Sequence, residues 1–293
     1  MRVESTYADC WYWSLDGLRL HFRDYAGNAD RPAILCLPGL TRNARDFDRL
    51  AERLSPEWRV LAADLRGRGD SAYAKDSLTY VPLTYVQDIG ALLDAAQIEK
   101  VIVIGTSLGG LLAMLLPTMQ PGRIVAAVIN DIGPVIEDAG LARVRAAVGH
   151  GGPWPTWVHA ARDLATRNPG IYPKWDLEDW LVFAHRVARV ASSGRISLDY
   201  DPHIADPMRL PVADTGNDVW AVLDALADIP ILSLRGALSD IFSAATQKAM
   251  AARLPRLKAV SIAHVGHAPT LDETASTKAI DAFLAEFLVP ATV

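Results

Sequence analysis

The sequence predicts an α/β domain: a mostly parallel, doubly wound sheet with helices on both faces and one all-helical insertion. Three observations carry this. Short apolar runs alternate with helical patterns along most of the 293 residues, the sequence signature of a parallel sheet. The alternation lapses once, between about 133 and 228. One β-branched run, Val101-Ile-Val-Ile104, breaks into Gly105-Thr-Ser-Leu-Gly109 and then into a helical stretch. Such a run suits a strand covered on both faces, which need not alternate.

Taken in order, Leu18 to Phe22 reads as a strand after the turn at Asp16-Gly17. Strands follow at Ala33 to Leu37, Arg59 to Ala63, Val101 to Ile104 and Ile124 to Ile129, then at Ile231 to Leu234 and Lys258 to Ile262. Helices are expected at Ala44 to Leu54, Leu83 to Ala95, Leu108 to Met119, Ser243 to Ala252 and Asp272 to Phe287. The insertion shows helical patterns at Ile136 to Val148, Trp157 to Thr166 and Leu177 to Val190, and no convincing strand. This divides the chain into a core of residues 1–132 and 229–293 and a helical lid of residues 133–228.

Half the residues are apolar, enough for a sizeable core and against disorder. The net charge of −5, with both signs interspersed, argues against a nucleic-acid partner and a basic membrane surface. No apolar stretch is long enough for a membrane span, the first residues lack a signal-like apolar run, and Cys10 and Cys36 are the only cysteines. The expectation is a cytoplasmic protein with reduced thiols.

The motif Gly105-x-Ser107-x-Gly109, set between strand and helix, is the context in which it presents a nucleophilic serine on a tight turn. Small residues two before and two after let strand and helix approach, and the helix N-terminus favours developing negative charge. A serine needs a base, and the base an orienting acid. Of seven histidines, His267 in Gly266-His-Ala-Pro269 lies just beyond the last strand and is the expected base. His264 reads as a packing or supporting residue. Two acids compete for the third role. Asp240, beyond the glycine turn after the Ile231 strand, is preferred for its location. Asp131, just past the Ile124 strand, is the alternative, with a lid-hinge role as its bland reading. Backbone N–H groups of Leu108 and of Leu40, in the Pro38-Gly-Leu-Thr41 bend, are the expected oxyanion donors. In Asp64-Leu-Arg-Gly-Arg-Gly-Asp-Ser71, glycines suit a sharp turn with Asp64 and Arg66 bonding across it. No spacing suggests a metal, and the glycine runs match neither a phosphate loop nor a dinucleotide fingerprint, so no cofactor is expected.

These motifs together resemble the α/β-hydrolase fold over nearly the whole chain. The resemblance carries its triad onto Ser107, Asp240 and His267. Many relatives have histidine where Pro38 stands, which leaves the backbone donor intact. A serine at the elbow separates this chain from dehalogenase and epoxide hydrolase relatives, which attack with aspartate. The resemblance implies cleavage of a carboxylic ester or lactone through an acyl-enzyme. Carbon–carbon cleavage of ring-fission diketones is an alternative, weakened because ring-fission relatives often have tryptophan where Ala268 stands. A non-catalytic ligand-binding role is a third. Lid aromatics (Trp154, Trp157, Tyr172, Trp175, Trp180, Phe183, Tyr200, Trp220) are expected mainly as core, some lining a pocket for an apolar small molecule.

Overall fold

A computed structural model describes residues 6–209 and 219–287. Eight strands form one sheet: β1 (Ala8–Trp13), β2 (Arg19–Tyr25), β3 (Ala33–Leu37), β4 (Val60–Asp64), β5 (Val101–Thr106), β6 (Ile124–Asn130), and, after the insertion, β9 (Ile231–Gly236) and β10 (Leu257–Ile262). Their spatial order is β1-β2-β4-β3-β5-β6-β9-β10. From β4 to β10 every neighbouring pair is parallel. The β1–β2 hairpin joins antiparallel at one edge, through β2 against β4.

The central parallel strands are apolar because both faces are covered. Alternate residues of β5 point to opposite faces, yet Val101, Ile102, Val103 and Ile104 are all fully buried. On one face Ile102 and Ile104 meet α1 (Asp48–Leu54) and α10 (Thr274–Ala285) through Leu50, Leu54, Ile280 and Phe283. On the other, Val101 and Val103 join a cluster with α2 (Pro82–Ala95), α3 (Leu108–Met119) and α9 (Ala244–Arg253) through Ile89, Leu112 and Met250. Both faces lock the sheet, so the loops at its carboxyl edge are held from below.

Between β6 and β9 lie α4 (Asp138–Ala147), α5 (Trp157–Arg167), α6 (Leu177–Val187), α7 (Asp206–Arg209) and α8 (Val219–Asp224). Helix α6 begins at a capping box in which Asp176 and Asp179 satisfy each other's backbone N–H groups. The insertion is not strandless, contrary to expectation: β7 (Ala188–Val190) and β8 (Ile196–Leu198) form an antiparallel hairpin, and Trp154 bridges to Ile196. A second difference lies at the edge, where β1 was not anticipated. Its burial alternates poorly because it is an edge strand, with Trp11 and Trp13 largely exposed.

Candidate active site

Strand β5 delivers Ser107 at φ 52°, ψ −114°, a left-handed conformation that a serine adopts only when its surroundings enforce it. Ser107 N–H donates to the Asn130 carbonyl at 2.9 Å, and the Ser107 carbonyl accepts from Leu111 N–H at 3.0 Å. The flanking glycines are steric necessities. A Cβ on Gly105 would lie 2.3 Å from the Gly109 carbonyl oxygen, and one on Gly109 would lie 2.0 Å from that of Leu37.

The loop after β10 carries His267. Its backbone is pinned by Gly266 N–H to the Ile171 carbonyl (2.7 Å), Tyr172 hydroxyl to the Ala268 carbonyl (2.7 Å) and Asn130 Nδ2 to the Pro269 carbonyl (2.8 Å). The ring then meets Ser107 Oγ with Nε2 at 2.8 Å and Asp131 Oδ2 with Nδ1 at 2.8 Å. His264, in contrast, points to solvent.

The orienting acid is where the expectation fails. His267 meets Asp131, not Asp240. Asp131 is fully buried, and its carboxylate accepts from Gly236 N–H (2.7 Å) and Ser239 Oγ (2.7 Å) besides the imidazole. All these partners are donors, which orients the imidazole with its proton on Nδ1 and its Nε2 lone pair toward Ser107. Asp240 is engaged elsewhere: Arg143 of α4 grips it bidentately at 2.6 and 2.7 Å. That guanidinium holds the Asp240 carboxyl below the usual range. The Asp240 loop still serves the site through Ser239, which no motif singles out. Asn130 was likewise missed; its amide ties the elbow strand, at Thr106 Oγ1, to the histidine loop.

For the oxyanion, Leu108 is the first residue of α3, where a helix leaves its N–H groups without intrahelical partners. The Gly39–Leu40 peptide is fixed by its carbonyl, which accepts from Arg42 N–H at 3.1 Å. In a trans peptide this turns the Leu40 N–H the opposite way. Gly39 packs beside Ser107, an added Cβ there being 3.7 Å from the serine Cβ. Arg68 Nε secures the bend from behind, donating to the Leu40 carbonyl at 2.8 Å. Arg66 does not bond Asp64, as the turn had suggested. It pairs with Asp88 and Asp16, while Asp64 accepts from His21, Ala44 N–H and Asp70 N–H. His21, Asp64 and Asp70 bring potential metal-ligand atoms within 4.8 Å. Both His21 nitrogens are already bonded, to Asp64 and Asp9, and none of the three lines the cavity below.

Ser107 and His267 open on a cavity of about 440 Å³ between sheet edge and lid. Its apolar wall includes Val144, Val148, Leu164, Ile171 and Leu198. Of the lid aromatics only Tyr172, Phe183 and Tyr200 line it. The tryptophans mostly build the lid itself: Trp154 and Trp180 sit in its core, and Trp175 stacks on Tyr172 at 3.7 Å.

The family model described as "Alpha/beta hydrolase family" matches residues 34–279. A 3-hydroxybutyrate-oligomer hydrolase of Cupriavidus necator is 30% identical over 264 residues, spanning 88% of this chain and 89% of that protein. A crystal structure of an alpha/beta hydrolase from Novosphingobium aromaticivorans superposes with a TM-score of 0.92 at 53% identity, covering 96% of this chain and 99% of that one. Another, a putative hydrolase from Rickettsia typhi, gives 0.82 at 25% identity, covering 96% and 98%.

Proposed function

The chain belongs to the alpha/beta hydrolase family and is a hydrolase, and from that premise we propose that it cleaves carboxylic esters through an acyl-enzyme on Ser107. One observation carries the reading: the hydrogen-bonded chain from Ser107 through His267 to buried Asp131, open to the cavity. As Ser107 Oγ attacks the ester carbonyl, His267 Nε2 takes its proton. Asp131 holds the ring and stabilises the imidazolium. The tetrahedral oxyanion lies against the Leu40 and Leu108 N–H groups, fixed donors that need no reorganisation as charge develops. His267 then protonates the leaving alkoxide. Water, deprotonated by the same nitrogen, releases the acid from Ser107.

The relative's activity puts short hydroxy-acid oligoesters first among substrates to try, beside simple esters and lactones. Wild type is expected to hydrolyse members of such a panel and Ser107→Ala none above background, with the acyl group trapped on Ser107 detectable by mass spectrometry. Equal rates in the two proteins would remove Ser107 from the reaction.

A further inference from the structure

The cavity wall is largely apolar but carries an uneven charge. Arg42, Arg143, Arg167 and Arg186 all line it, with Asp46 as the one acid among the described lining residues. Arg42 is taken up by that acid, at 2.6 Å, and lies over the Phe183 ring. Arg186 bonds Asp272. Arg143 and Arg167 likewise bond acids outside the lining, Asp240 and Asp163, but unlike Arg186 they do not also face the neighbouring pocket that holds Asp272. Arg143 uses Nε and Nη2 on Asp240, and Arg167 uses Nε on Asp163. The remaining N–H groups, Nη1 of Arg143 and the outer fork of Arg167, have no acceptor among the described residues. Arg143 is rigidly mounted: α4 lies so close to the Asp240 loop that a Cβ on Gly140 would be 2.2 Å from the Asp240 carbonyl oxygen. Asn168 and His150 add further polar groups to the same wall.

We propose that Arg143 and Arg167 form a subsite for a carboxylate at the end of the substrate remote from the scissile carbonyl, so that the enzyme selects esters ending in a free acid. Planar guanidiniums on an otherwise apolar wall suit a carboxylate, which they bind with charge-assisted hydrogen bonds. The inference rests on Ser107 chemistry only for the position of the scissile carbonyl, so binding and turnover are measured separately. Calorimetry on Ser107→Ala compares monomethyl adipate with dimethyl adipate. The monoacid is expected to bind about tenfold more tightly. Adding Arg143→Gln or Arg167→Gln should abolish that preference. Arg167→Gln leaves the α4–Asp240 contact untouched and so guards against a lid that fails to dock. Equal affinity for the two esters, or a preference that survives either substitution, overturns the subsite. Wild type that hydrolyses no ester of the panel while the binding preference holds overturns the Ser107 ester reading and leaves the anion site standing.

Discussion

Replacing Asp131 by asparagine tests the assignment of the orienting acid most directly. The carboxylate accepts three hydrogen bonds, from Gly236 N–H, Ser239 Oγ and His267 Nδ1, with no exposure to solvent. An amide has one oxygen, so at least one of these donors would face an NH₂ group. If the amide nitrogen faces His267, the imidazole must turn its proton to Nε2 and can no longer accept from Ser107. A wrong tautomer of this kind lowers kcat by roughly 10⁴ in serine hydrolases of the same logic. Asp240→Asn removes only a bidentate pair whose side chains are 29% and 39% exposed, and such a solvent-screened pair is worth ~0–1 kcal/mol. The assay is kcat on a neutral p-nitrophenyl ester, so that any role of Arg143 toward acids does not enter, with circular dichroism to confirm folding. Asp131→Asn should lose several orders of magnitude and Asp240→Asn only a few-fold. The reverse order would refute the argument and return the acid to Asp240.

Gly109→Ala places a methyl 2.0 Å from the Leu37 carbonyl oxygen, a backbone atom that cannot step aside. It should destabilise the protein by about 3 kcal/mol or more, read by urea unfolding; an unchanged midpoint would mean the elbow is not tightly packed. Arg66→Met leaves the buried Asp88 carboxylate, whose pKa burial already raises against the pull of Arg66, without its principal cation. A loss of about 3–5 kcal/mol is expected near neutral pH. It should shrink on acidification as Asp88 becomes neutral; a pH-independent loss would contradict this. At His21, burial of the ring lowers the pKa, but hydrogen bonds and charge from Asp64, with Asp9 and Asp70, outweigh it and the net shift is upward from 6.5. A raised folded value means the stabilisation is fully present below about pH 6.5 and lost as pH rises through the folded value. The melting-temperature gap between wild type and His21→Gln should therefore be larger at pH 6 than at pH 9, and an equal gap would remove the charged pair from the account.

The parallel sheet was legible because its physics is local. A strand buried on both faces has to be apolar, and β3, β4, β5 and β6 each are up to their last residue, where Asp64, Thr106 and Asn130 end β4, β5 and β6 at the carboxyl edge. The elbow was legible for a similar reason, since a backbone turn that excludes Cβ atoms writes itself as glycines. The edge strand β1 and the lid strands escaped because neither constraint acts on them. β1 is half solvated, and β7 and β8 are three residues each, so the pairing rather than the composition defines them. The tryptophans mostly serve the interior of the lid, in keeping with lid aromatics expected mainly as core, and the cavity wall falls to aliphatics, arginines and Tyr172, Phe183 and Tyr200.

Of the two acids weighed from the sequence, the alternative, Asp131, is the one that meets His267, and an interaction at long range accompanies the difference. Strands β6 and β9 are parallel neighbours in register, Asn130 beside Leu234, so the loops bearing Asp131 and Asp240 emerge side by side at the same sheet edge. Either loop reaches the histidine's neighbourhood, and location alone cannot choose between them. What chooses is Arg143, 97 residues before Asp240, which draws that carboxylate toward the lid. Ser239 and Gly236, from the loop that lost the competition, then donate to Asp131. The two loops thus work as one unit: the first supplies the charge and the second the hydrogen bonds that orient it. The same ion pair fixes Arg143 on the cavity wall. Moving the acid to β6 therefore frees the β9 loop to anchor the lid arginine, coupling the orientation of His267 to the chemistry of the pocket through two adjacent residues, Ser239 and Asp240.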